Sequence, residues 1–310
     1  MIDVVVALLA ISIVKSTPLV LGALSGTVCE RSGIVNIAIE GMMLAAAFAG
    51  FAVAVVSGSL ALGLVAAMAA GALLALLHAV LTVCYGVNQI ISGTAINILA
   101  VGLTGFFNRQ LFATGAPPTA TVLPRLHLPM LSDFPVLGPI LFDHQPLTVL
   151  AVVLVFVCQW ALFRSRWGLR TRAVGEHPLA ADTVGIDVQR LRTLNVVLGG
   201  VLAGLGGAYF TLESVPHFEP LMTNGRGFIA LAAMIFGKWT PLGAWGAALL
   251  FGLTEALPVT LQIQGFAVPF QLVGMLPYML TIVVVAGVVG RATAPAAVGI
   301  PYVKGQRAGG

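Results

Sequence analysis

The sequence predicts an all-α fold, a polytopic transmembrane helical bundle of about nine spans with its N-terminus outside and its C-terminus inside. Composition is the first reason: 59% of the 310 residues are hydrophobic and 8% are charged, with a mean hydropathy of +1.03. A soluble domain carries about 25% charged residues, so a cytosolic enzyme, a secreted scaffold and a disordered chain are excluded. Length is the second reason: apolar stretches repeatedly approach the ~20 residues that a helix needs to cross a bilayer. In lipid each unpaired backbone group costs several kcal/mol, so such stretches fold as helices. Glycine is the third: 36 residues, against a usual ~7%, let helices approach closely.

The apolar stretches fall at about 4–28, 41–57, 60–84, 89–107, 146–163, 194–212, 226–237, 243–257 and 270–290. The first leaves two readings, because Lys15 lies at its centre. Either it crosses whole, or residues 2–14 lie along the interface and a broken helix begins near Pro18. Residues 108–145 hold Pro117, Pro118, Pro124, Pro129, Pro135 and Pro139, which predicts a long external loop with at most short structure. Residues 164–192 hold six of the twelve arginines, Arg164, Arg166, Arg170, Arg172, Arg190 and Arg192, and so mark a cytoplasmic loop. With the N-terminus outside, eleven of the fifteen basic residues fall inside and three (Arg109, Arg125 and Arg226) outside. The positive-inside rule selects that orientation. Residues 1–290 thus form one transmembrane domain, and 291–310 a cytoplasmic tail.

Cys29, Cys84 and Cys158 show no metal or disulfide spacing. The net charge of +4 is orientation charge, and no basic run is interleaved with aromatics, so no nucleic-acid partner is expected. The N-terminus carries Asp3 and no basic segment, so no cleavable signal peptide is read.

Five stretches carry more than hydropathy. Residues 30–43, ERSGIVNIAIEGMM, place Asn36 and Glu40 on one helix face. A carboxylate entering a membrane helix is costly unless paired or wetted, so it marks a pathway or a partner. In residues 89–104, Gln89, Gly93, Asn97, Ala100 and Thr104 form a polar and small stripe. This stripe either lines a hydrophilic route, with Asn97 as its mid-span candidate, or makes a helix–helix seam. Gly199, Gly200, Ala203, Gly204 and Gly207 read as packing rows. In the loop 173–187, Gly175, Glu176, Pro178, Ala180, Ala181 and Gly185 leave two readings, an ordinary solvated loop or a short helix over about 175–185, entered by a turn at Gly175 and docking a soluble partner. In residues 211–228, Glu213, His217, Glu219 and Arg226 cluster without a metal-binding motif, so no metal is expected. The brief span 226–237 and the stretch 32–41 form a candidate inverted pair, SGIVNIAIEG with NGRGFIALAA, of the kind that brackets substrate sites. The substrate-pathway candidates are therefore Asn36, Glu40 and Asn97, with Asn224 and Arg226 at the outer mouth. No catalytic constellation is present, so the chain is not read as an enzyme.

Four blocks, TPLVLGALSGTVCERSGIVNIAIEGMM, NQIISGTAINILAVGLTG, AVGEHPLAADTVGI and GRGFIALAAMIFGKWTPLGA, resemble the membrane permeases of bacterial ABC importers. The resembled family serves branched-chain amino acids, simple sugars and nucleosides, and the wording is most similar to its nucleoside (simple sugar) branch. The resemblance covers about residues 17–257. It implies a multi-pass protein of the bacterial inner membrane and a coupling helix in the 164–192 loop. There Ala180, Ala181 and Gly185 keep the family's Ala-Ala-x3-Gly, with the acid displaced to Glu176. It also implies the partners: an ABC ATPase subunit holding ATP and Mg, a second and longer permease forming a heterodimer, and an extracytoplasmic substrate-binding lipoprotein. No cofactor is expected in this chain. The competing readings are a stand-alone channel or secondary transporter for a small polar solute, and an ABC permease for sugars or branched-chain amino acids.

Overall fold

The computed structural model describes residues 2–112, 119–127, 132, 134, 136–263, 275, 276, 279, 282 and 293–303. Ten α-helices follow one another: α1 (Ile2–Glu30), α2 (Ile39–Ser57), α3 (Leu60–Ala79), α4 (Gln89–Phe112), α5 (Pro146–Arg164), α6 (Arg166–Glu176), α7 (Pro178–Thr183), α8 (Val188–Ala208), α9 (Arg226–Phe236) and α10 (Pro241–Ile263). Three wider π-helical turns occur, and two of them extend α3 (Val80–Cys84) and α8 (Tyr209–Ser214). Among the described residues seven helices are long and apolar enough to cross a membrane. The seventh expected span, α9, has 11 residues, about 16 Å at 1.5 Å per residue, and is too short to cross alone. The ninth, 270–290, lies almost wholly outside the described residues.

The first span is resolved in favour of one continuous helix. Proline removes a single backbone donor, and α1 runs through Pro18 unbroken. Just before it, the Ser16 and Thr17 hydroxyls both donate to the Ile13 carbonyl, at 2.8 and 3.1 Å. Packing on α10 holds this region, where a Cβ on Gly252 would lie 2.8 Å from Ser16 Cβ. In the 108–145 region, α4 continues to Phe112, and beyond it lie a two-residue strand pair, β1 (Leu126–His127) with β2 (Asp143–His144), and the third π turn (Gly138–Phe142). The backbone of Ala120 and Leu123 donates to the carbonyls of Pro216 and Leu212, which ties this region to the end of α8.

The glycine rows of α8 are packing surfaces. A Cβ on Gly204 would lie 2.7 Å from the Ala67 carbonyl oxygen of α3, and one on Gly207 2.7 Å from the Ala46 Cβ of α2. Without side chains at these points, α3, α2 and α1 close around α8, and close contact of small residues replaces a hydrophobic driving force that lipid cannot supply.

Candidate functional site

The chain between α1 and α2 is the key break in the bundle. It runs from the α1 terminus at Glu30 through a turn at Gly33 (φ +94°) to Ile39. Alongside it, in the opposite direction, lies α9. At one end the Glu40 carboxylate sits at the α9 N-terminus, where Oε1 accepts from Thr223 Oγ1 (2.7 Å) and Gly225 N–H (2.8 Å) and Oε2 from Gly227 N–H (2.6 Å). At the other end Trp239 Nε1 donates to Glu30 at 2.6 Å, and Arg31 Nε donates to the Trp239 carbonyl at 2.7 Å. The two segments of the candidate inverted pair therefore lie against each other.

Electrostatics explains why Glu40 belongs there. The first N–H groups of a helix have no partner within it, and the helix dipole adds partial positive charge. Glu40 lies in the first turn of α2 and caps α9, so one carboxylate meets two positive helix ends. Asn97 supports the same break from α4: its Oδ1 accepts the Gly41 N–H at 2.8 Å and its Nδ2 donates to the Ile37 carbonyl at 3.0 Å. The stripe on α4 faces this segment as a seam, with Gly93 against Ile37 and Ala38 and with Gln89 accepting the Val35 N–H at 2.6 Å. Asn36 is fully buried. Its Nδ2 faces Cys29 Sγ (3.4 Å) and Met42 Sδ (3.8 Å), and its Oδ1 has no partner among the described residues.

Asn224 and Arg226 flank the α9 N-terminus. Asn224 is exposed, with φ +45°, a backbone angle that asparagine tolerates better than most residues. Arg226 pairs with Glu255 of α10 at 3.1 Å and lies 5.6 Å from the Phe210 ring centroid. The structure thus brings Glu40, Asn224 and Arg226 to one helix end, with Asn97 bound one residue along at Gly41; Asn36 lies buried in the non-helical stretch before α2, so it does not share a helix face with Glu40 as expected.

Sequence reasoning missed two acids. Glu255 is the Arg226 partner. Glu213, read as part of an outer cluster, instead accepts the N–H groups of Leu147 (2.7 Å) and Thr148 (3.2 Å) and the Thr148 hydroxyl (2.5 Å), capping α5. Both lie in apolar helical stretches, the same signal that singled out Glu40. Among the described residues no group of acids, histidines and cysteines is placed to hold a metal.

The loop over 164–192 folds as α6, α7 and the start of α8. The expected short helix is α7, narrower than 175–185. Gly175 does not turn the chain; it lies inside α6 against the backbone of Arg31 and Gly33. Glu176 accepts the Ala296 N–H at 3.1 Å. Ala181 is buried, 4% exposed, against Val174 and Val188, whereas Leu179, Ala180 and Val184 are exposed. Gly185 has φ +83°, which glycine adopts freely, and so closes the turn after α7. Burial lowers the pKa of Arg31; Glu176 opposes that shift and Arg172 adds to it. Fully buried Arg192 donates to the Ser32 (3.0 Å) and Ile300 (3.1 Å) carbonyls, so residues 293–303 are strapped to this end of the bundle.

The chain is similar to known membrane proteins over most of its length. Residues 8–285 match the family described as branched-chain amino acid transport system / permease component. The guanosine ABC transporter permease protein NupQ of Bacillus subtilis is 42% identical over 308 residues, covering 96% of each chain. The nucleoside ABC transporter permease protein NupC of Lactococcus lactis is 40% identical over 303 residues, 95% of this chain and 96% of that one. A Haloferax volcanii permease protein with a provisional glucose assignment, TsgC13, is 37% identical over 259 residues, 82% and 78% of the two chains. No solved structure matches the chain. With seven helices able to cross a membrane and a family match over most of its length, the chain belongs to this ABC permease family and is one of its multi-pass membrane subunits.

Proposed function

We propose that the chain is the transmembrane permease of an ATP-binding-cassette importer for nucleosides in the bacterial inner membrane. The observation that carries this reading is the similarity to the guanosine permease protein over 96% of both chains. In this reading the bundle crosses nine times, N-terminus outside and C-terminus inside, as the eleven-to-three distribution of basic residues supports. The break built by Asn36, Glu40 and Asn97 lies beside the translocation route, with Asn224 and Arg226 toward its outer mouth. Half-helix ends meeting inside a bundle are the usual surroundings of a transported solute.

The chain itself hydrolyses nothing. A separate ATPase subunit, holding ATP and Mg, docks on the exposed face of α7 at Leu179, Ala180 and Val184, with Gly175, Glu176, Ala181 and Gly185 shaping the loop beneath. A second, longer permease completes the membrane pore, and a substrate-binding lipoprotein delivers the nucleoside from outside. The test is uptake of labelled nucleosides, sugars and branched-chain amino acids by cells carrying the complete transporter and by cells lacking this chain. Loss of nucleoside uptake alone supports the reading. Loss of sugar or amino-acid uptake with nucleoside uptake intact moves the substrate class, and uptake that survives removal of the ATPase favours a stand-alone channel.

A further inference from the structure

A cavity of about 270 Å³ lies where α1, the π turn after α8 and the connection leading to α9 meet. Its volume approaches the ~300 Å³ at the small end of ligand sites. Pro18, Phe210 and Met222 give it apolar walls, and Lys15, His217, Glu219 and Arg226 bring polar groups to it. The wider turn over Tyr209–Ser214 places the Phe210 ring there, and π-helical turns inside α-helices are frequent at functional sites.

The polar groups are not equally occupied. Arg226 is paired with Glu255 at 3.1 Å, and His217 with Glu219 at 3.1 Å. Lys15 is half-buried, midway along the 29-residue α1, and has no hydrogen bond or ion pair with any described residue. An ammonium held at that depth without an acceptor is costly, and intramembrane charges line substrate routes.

We propose that this cavity is a resting site for the nucleoside during its passage, with Lys15 donating to the acceptor edge of the base. The proposal rests on the nucleoside reading above and adds to it a site and a selecting residue. A flat base matches the apolar walls. The ammonium carries three donors and no acceptor, so it selects ring nitrogens and carbonyls, such as the N7 and O6 of guanine, over exocyclic amino groups. Ribose hydroxyls donate and accept, and they match the exposed Glu219 and the half-buried His217. Arg226 already has its carboxylate, which leaves Lys15 as the cavity's free cationic donor among the described residues.

The test is ATP-driven uptake of guanosine and of 7-deazaguanosine, which lacks the N7 acceptor, by the complete transporter in vesicles. The expected result is that wild type takes up the 7-deaza compound roughly tenfold less efficiently, as befits one lost bond to a charged donor. Lys15→Leu and Lys15→Met lose guanosine uptake by a similar factor and treat the two compounds alike, while Lys15→Arg keeps the discrimination. The binding protein is the same throughout, so its own preference cancels when variants are compared. Either neutral variant, present in the membrane at wild-type level, that keeps both the guanosine rate and the wild-type ratio overturns the proposal. So does the loss of all three variants from the membrane, which makes Lys15 a folding residue. Wild-type vesicles that take up no nucleoside overturn the functional reading itself.

Discussion

Gly227 donates its backbone N–H to the Glu40 carboxylate at 2.6 Å, and this bond joins the beginning of α2 to the beginning of α9. A Cβ at position 227 would lie 2.6 Å from the Glu40 Cα, so the approach needs glycine. One carboxylate then serves two helix ends, and the break between α1 and α2 cannot move without carrying α9 with it.

Glu40→Gln is expected to reduce uptake at least tenfold and to lower the melting temperature of the purified permease. The amide keeps one acceptor, but its NH2 meets a donor at Gly225 or Gly227. Hydrogen bonds to a charged group contribute about 1.5–3 kcal/mol each. Thermal melts and uptake on the same preparation check this, and an unchanged melt with normal uptake removes Glu40 from the break.

Glu213→Ala is expected to destabilise the fold by about 1–3 kcal/mol, the cost of leaving buried donors unpaired. Leu147 and Thr148 lose their acceptor, and the α5 N-terminus is left without its cap. Protease resistance of the α5 region, compared with that of α2, reads the effect locally.

Much of this was legible in the sequence because lipid imposes few solutions. The stretches 146–163 and 41–57 became α5 and α2 within a few residues, since uninterrupted apolar runs permit little but helix. Glu40 stood out because a lone carboxylate in such a run needs a reason. What it binds did not, since two of its three donors, Gly225 and Gly227, offer only backbone, which no side-chain pattern announces. The same holds for Gly175: a glycine three residues before a proline reads as a turn, yet here it is a helix position crowded by the backbone of Arg31. The tail was read only as cytoplasmic, because short polar segments with glycine and proline carry no periodicity. Its anchorage comes from Arg192, 108 positions away from Ile300.

The loop proposed to meet the ATPase yields two distinguishable variants. Ala180→Arg, on the exposed face, is expected to abolish ATP-driven uptake at least tenfold while leaving expression unchanged. Ala181→Arg forces a long charged side chain into the contact with Val174 and Val188, an overpacking that costs about 1–3 kcal/mol or more, and so lowers stability as well. Uptake, expression level and binding-protein affinity, measured together, separate them. Wild-type uptake in Ala180→Arg removes this face from the docking role.

Arg192→Met should release the strap. The Ser32 and Ile300 carbonyls lose their donor, so limited proteolysis within residues 293–303 is expected to speed up several-fold, with the transmembrane helices still protected. Equal cleavage rates in the two proteins would show that Arg192 does not hold this segment.

The most direct test of the account is guanosine uptake into proteoliposomes that contain the whole transporter and are loaded with ATP and Mg on the ATPase side. The account predicts accumulation against a gradient that requires ATP, the binding protein and this chain, and that is absent with Glu40→Gln. Accumulation without ATP, or ATP-driven uptake of sugars or amino acids with no uptake of nucleosides, would contradict it.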